Sequence, residues 1–202
     1  MINLPTSLTL YRFLASLGIV AAFVLLDSGP ANLAALLFFV TGCVTDYLDG
    51  YLARRYDLTT ALGRMLDPIA DKVLVITALF MLASENTHGA VLLIPAALIV
   101  TRELIVSGIR EFFGSDGPQL AVTRLAKWKT AVQMLSLTGV FTCNGLTGTA
   151  ILPGWAADAG PGSLPALISL GLLWLAALLT LVTGSQYLHG AIMALREHTN
   201  DA

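Results

Sequence analysis

The sequence predicts an all-α polytopic membrane protein: six transmembrane helices in one domain spanning 1–202, with both termini cytoplasmic. Three observations carry this. Of 202 residues, 56% are apolar and 12% charged, half the roughly 25% charge of a soluble domain, and mean hydropathy is +0.78. The apolar residues fall into six runs, each near the about 20 residues that a helical crossing needs. The 11 Lys and Arg residues gather on one side when the runs alternate in direction. A net charge of −2 leaves no basic face, so no nucleic-acid partner is expected.

The first run, 8–26, has no basic segment before it and no clear cleavage site, so it is expected to stay as a span. The second, 32–53, ends in two aspartates, and the third, 64–83, begins with two more. Pro68 either starts the regular part of the third or kinks it. The fourth, 90–110, carries Arg102 and Glu103 within apolar sequence, and the fifth, 128–146, starts beside Lys127 and Lys129. The sixth, 164–187, is almost free of polar residues. Breaks at 27–30, 54–59, 84–89, 111–124 and 147–163 separate them. Runs this long without alternation exclude a β-barrel. With the N-terminus inside, the three outer breaks contain no Lys or Arg, which satisfies the positive-inside rule. Segment 147–163, rich in Gly and Pro and bearing Trp155, reads as a connector. Trp128 and Tyr187 read as interface anchors, and Cys43 and Cys143 as inert packing thiols.

Of the 13 acidic residues, four within 26 positions sit at the ends of apolar runs: Asp46, Asp49, Asp67 and Asp71. A charge in a span costs a few kcal/mol or more, so each needs a reason. The first pair is three apart and the second four apart, so each occupies one helix face. A short connection makes the second and third helices antiparallel neighbours, which lets the pairs converge. Converging carboxylates repel one another unless protonated, paired with bases or holding a cation, and this density of oxygen suits Mg²⁺ or Mn²⁺. Gly42, Asp46, Gly50 and Ala53 share a stripe, as do Gly63, Asp67 and Asp71. Small residues there allow a ligand or a backbone to approach. The plainer alternative is glycine-mediated packing, with the aspartates paired to Arg54, Arg64 and Lys72.

These residues form the pattern D-x2-D-G-x2-A-R-x8-G-x3-D-x3-D, from Asp46 to Asp71, with all eight fixed positions filled. The pattern resembles the motif of the CDP-alcohol phosphotransferases. The resemblance implies a six-span fold and, as partners, a homodimer and membrane lipid. It implies metal ligation by Asp46, Asp49, Asp67 and Asp71, with Asp71 as general base and Mg²⁺ or Mn²⁺ as cofactor. It also implies a CDP-lipid contact set of Asp49, Gly50, Ala53, Arg54 and Gly63.

A second, basic group comprises Arg102, Arg110, Arg124, Lys127 and Lys129. Cations near an acidic metal site point to an acceptor carrying phosphate. The alternative is ordinary inner-surface charge with an Arg102–Glu103 contact. The segments from Asn3 to Arg12, Leu66 to Lys72, Thr101 to Glu111 and Leu125 to Met134 resemble the bacterial phosphatidylglycerophosphate synthases of that family, although Ala126 stands where those enzymes commonly have glycine. This implies CDP-diacylglycerol as donor and sn-glycerol 3-phosphate as acceptor. The acceptor phosphate would lie on Arg102, Arg110, Lys127 and Lys129, with the active site facing the cytoplasm from the bacterial inner membrane. Arg12 would either approach the donor or snorkel. Competing readings are a relative using inositol phosphate, serine or phosphatidylglycerol, and a divalent-cation transporter, which needs polar groups through the midplane.

Overall fold

The computed structural model describes residues 4–56, 60–85, 89–113, 124–147 and 163–200. The elements are α1 (Leu4–Leu25), α2 (Ser28–Tyr56), α3 (Ala61–Ser84), α4 (Gly89–Phe113), α5 (Arg124–Thr147) and α6 (Ser163–Asn200), and among the described residues there is no strand. Each apolar run forms one helix. Several helices outlast their apolar run: α2 continues through Tyr56, and α6 continues to Asn200. Arg, Glu and Ala are good helix formers, so a change of polarity alone does not stop the backbone. Trp155 and most of the segment 147–163 lie outside the described residues.

Four helices, α1, α2, α4 and α6, are long and apolar enough to cross a membrane. With 24 residues each, α3 and α5 have comparable length, but their first halves carry the charges. Helix starts follow local chemistry. Thr60 caps α3, its hydroxyl accepting a hydrogen bond from the Gly63 amide at 2.9 Å. Pro30 and Pro165 lie in the first turns of α2 and α6, where the missing N–H leaves no helical bond unmade. Pro68 lies inside α3 rather than at its start, so the Arg64 carbonyl loses its helical donor.

Side-chain bonds between helices fix their directions. Near one end, Thr6 of α1 meets Thr60 at 3.0 Å, and Arg12 reaches the C-terminal half of α2 and the N-terminal half of α3. At the other end, Ser28 and Asn32 at the start of α2 and Asn144 near the end of α5 all bond Glu85, just after α3. Trp174, near the start of α6, donates to the Val91 carbonyl of α4 at 3.0 Å. Successive helices therefore alternate in direction.

α2 and α3 are antiparallel, but they touch only briefly. α1 packs along both, α5 joins α2 to α6, and α4 lies on α6. Among sequence neighbours, α1 and α2 pack closely whereas α2 and α3 do not. Ala15 and Ala22 of α1 and Ala31 and Ala35 of α2 are buried and permit close backbone approach. Gly42 supplies the α2–α3 contact: a Cβ there would lie 2.6 Å from Leu74 Cδ2. Ile19, Phe39, Leu74, Leu79, Leu137, Phe141 and Leu173 fill the common core. The Phe39 and Phe141 rings meet at 6.0 Å and 51°, a favourable tilted arrangement. Cys43 and Cys143 are half-buried and not joined by a disulfide. The Cys43 thiol faces the Met134 sulfur at 3.0 Å.

Glu85 ties three helices at the end away from the aspartates. It accepts from Ser28 at 2.7 Å, Asn32 at 2.9 Å and Asn144 at 3.1 Å. Asn32 is fully buried. Glu85→Ala strands one of the two Asn32 amide hydrogens, the other staying on the Ser28 carbonyl at 2.8 Å, and an unsatisfied buried group costs about 1–3 kcal/mol. The expected result is a lower thermal midpoint in detergent. A wild-type midpoint would show that this tie contributes nothing.

Candidate active site

The acidic residues are organised by a buried arginine. Arg12 has 0% side-chain exposure and is ringed by carboxylates from two other helices. Its Nη1 donates to Asp46 Oδ1 at 2.6 Å, and its Nη2 to Asp49 Oδ2 at 2.7 Å and more loosely to Asp67 Oδ1 at 3.4 Å. Thr9, one helical turn before Arg12, donates to the same Asp67 oxygen at 2.5 Å. The spacings explain the convergence, since residues three apart share a helix face, as Thr9 and Arg12 do on α1 and Asp46 and Asp49 on α2. Asp49 is buried, whereas Asp46 and Asp67 keep 44% and 47% side-chain exposure.

Asp71 stands apart from this ring. Its Oδ1 is buried without a hydrogen-bond partner. Together with Asp46, it lines a cavity of about 1160 Å³. The same cavity is lined by Arg102, Glu103, Arg110, Lys129 and Tyr187. Glu103 accepts from Arg102 at 3.1 Å and also bonds Lys129. Arg110 donates to the Tyr187 hydroxyl at 2.6 Å. Acidic and basic side chains thus line one space.

Among the described residues, no three His, Cys, Asp or Glu side chains are grouped closely enough to hold a metal ion. In this conformation the Arg12 guanidinium takes the aspartate oxygens. The donor set nevertheless suits a hard cation. All its donors are carboxylate oxygens, one positive charge faces three negative ones, and a further carboxylate oxygen, on Asp71, is buried without a donor. Asp46 and Asp67 are exposed enough to reorient.

Residues 2–182 match the CDP-alcohol phosphatidyltransferase family. The chain belongs to this family. It is also similar to curated proteins named CDP-diacylglycerol–glycerol-3-phosphate 3-phosphatidyltransferase. That of Cereibacter sphaeroides is 36% identical, covering 96% of this chain and 98% of the relative. That of Rickettsia felis is 38% identical, covering 92% and 93%. That of Sodalis glossinidius is 38% identical, covering 98% and 99%.

The structure therefore brings Asp46, Asp49 and Asp67 together and sets Asp71, Arg102, Arg110 and Lys129 around one cavity. Gly63 is buried at the α3 cap, where a Cβ would lie 3.0 Å from the Thr60 hydroxyl. Gly50 follows Asp49 on α2 and is half-buried. The side chains of Ala53, Arg54 and Lys127 lie outside the described residues. Trp128 is exposed, consistent with an interface anchor, but Tyr187 is not one, being only 4% exposed and packed against two arginines. Arg12 neither snorkels nor faces open water. The Thr9-x-x-Arg12 spacing is the one sequence signal that marks its role.

Proposed function

We propose that this chain transfers the phosphatidyl group of CDP-diacylglycerol to sn-glycerol 3-phosphate, forming phosphatidylglycerophosphate and CMP. One observation carries the reading: Asp46 and Asp71 share a cavity with Arg102, Arg110 and Lys129. Such a space suits two phosphate-bearing substrates brought together beside a carboxylate. The names of the relatives support both substrates.

A divalent cation, Mg²⁺ or Mn²⁺, held by Asp46, Asp49 and Asp67, with Asp71 alongside, would neutralise the diphosphate and stabilise the departing CMP. Asp49, Gly50, Ala53, Arg54 and Gly63, which fill the family motif, are assigned to the CDP-lipid donor. The acceptor phosphate lies against Arg102, Arg110, Lys127 and Lys129, where guanidinium and ammonium groups make charge-assisted bonds. This holds the sn-1 hydroxyl towards the donor phosphorus. Asp71 takes the hydroxyl proton as the new oxygen–phosphorus bond forms and the bond to CMP breaks, the electron pair leaving with CMP. Six spans, cytoplasmic termini, an inner-membrane site open to the cytoplasm and a homodimer complete the reading. Alternating helix directions support an even number of crossings, and the breaks 27–30, 84–89 and 147–163 on the other side carry no Lys or Arg.

The test is CMP release by the detergent-solubilised protein, given CDP-diacylglycerol and a panel of glycerol 3-phosphate, inositol phosphate, serine and phosphatidylglycerol. Only glycerol 3-phosphate is expected to sustain turnover, and preference for another alcohol overturns the assignment. Loss of a charged hydrogen bond makes Arg110→Ala raise the glycerol 3-phosphate KM about tenfold or more, with the donor KM unchanged. Equal changes in both would remove Arg110 from the acceptor side.

A further inference from the structure

The arginines of the cavity wall do not aim themselves. Both belong to α4, and both are held by one short stretch of α6. The Thr183 hydroxyl donates to the Leu179 carbonyl of its own helix at 2.9 Å. Its lone pairs are thus turned towards Arg102, whose Nη2 donates to it at 3.2 Å. Gly184 gives the Arg102 stem its path, because a Cβ there would lie 2.8 Å from Arg102 Cγ. Tyr187, one turn later, places its ring 5.8 Å from the Arg102 guanidinium and 5.0 Å from that of Arg110, distances at which the ring quadrupole attracts a cation. Its hydroxyl accepts the 2.6 Å bond from Arg110. A buried tyrosine with its polar tip on a cation is a rigid support, with only two side-chain torsions to fix. These residues begin immediately after the last residue matched to the family, 182.

We propose that Thr183, Gly184 and Tyr187 form a seat that sets the direction of Arg102 and Arg110 and so determines how well a phosphate-bearing acceptor is recognised. They are positioning residues, acting through the two arginines. The proposal rests on the reading of those arginines as acceptor-phosphate ligands. It deepens that reading by locating acceptor preference in α6, away from the aspartate motif. Glycine at 184 is part of the seat as clearance, so its role is open to test without altering any polar atom.

The experiment compares Tyr187→Phe, Tyr187→Leu and Gly184→Ala with the wild type in detergent, with Arg110→Ala as reference. KM for glycerol 3-phosphate, KM for CDP-diacylglycerol, kcat and the thermal midpoint are measured for each. Tyr187→Phe keeps the ring and loses one bond to a charged group, so the glycerol 3-phosphate KM is expected to rise about three- to tenfold. Tyr187→Leu is expected to raise it further, because the cation–ring attraction is lost as well. Gly184→Ala is expected to raise it too by displacing the Arg102 stem. In all three the donor KM and kcat stay near wild type. If the Tyr187 and Gly184 variants leave the acceptor KM unchanged while Arg110→Ala raises it, the seat is wrong and the acceptor site stands. If Arg110→Ala also leaves it unchanged, the acceptor site itself falls, and the seat with it. If the variants lower kcat, the midpoint and both affinities together, α6 contributes packing alone and the proposal is overturned.

Discussion

Arg12→Met is expected to lower the thermal midpoint of the purified protein markedly and to remove turnover. The guanidinium is buried and is the shared partner of Asp46, Asp49 and Asp67. Methionine fills similar space but leaves Asp49, itself buried, with no opposite charge. Breaking a buried ion pair from one side costs about 3–5 kcal/mol, because the remaining charge is stranded. The pairing also holds three helices, since Arg12 comes from α1 and its partners from α2 and α3. Two further measurements separate this from general damage. Adding Asp49→Asn to Arg12→Met removes the stranded charge and is expected to restore part of the midpoint. Mg²⁺ is expected to raise the midpoint of Arg12→Met more than that of the wild type, because the freed carboxylates lack a competing cation. A single variant that melts with the wild type would show that the ion-pair ring does not support the fold.

Asp71→Asn is expected to reduce kcat about 10²- to 10⁴-fold, the usual contribution of general base catalysis. Asparagine has nearly the same shape and cannot accept the hydroxyl proton. Asp71 is outside the Arg12 ring, and its buried Oδ1 has no donor to lose. The midpoint should therefore stay near wild type, and the KM values for both substrates should change little. Wild-type turnover in this variant would reject Asp71 as the base.

What the sequence made legible follows from what is local. Six apolar runs separated by polar breaks marked six helices, because run length is a property of contiguous residues. The shared face of Asp46 and Asp49, and that of Asp67 and Asp71, followed from helical spacing. The partnership of Arg12 did not, since its carboxylates lie 34 to 55 positions away and an isolated arginine near a helix start usually marks the inner surface. Tyr187 was misread for a similar reason: an aromatic near the end of an apolar run usually meets the headgroups, and only the packing of α4 on α6 turns it inward. Loop length marked α2 and α3 as antiparallel neighbours, which they are, but not how brief their contact is, since α1 packs along both. Helix ends were misjudged where good helix formers carried α2 and α6 beyond their apolar stretch.

The bundle segregates its chemistry. Aspartates, arginines and the open cavity occupy one end, while Glu85 knots the other. On the proposed reading, every product molecule is therefore released into the monolayer that supplied the donor. Such an enzyme adds lipid mass to a single sheet. Balanced growth of the two sheets then depends on a separate step that carries anionic lipid across, at a rate this protein does not set.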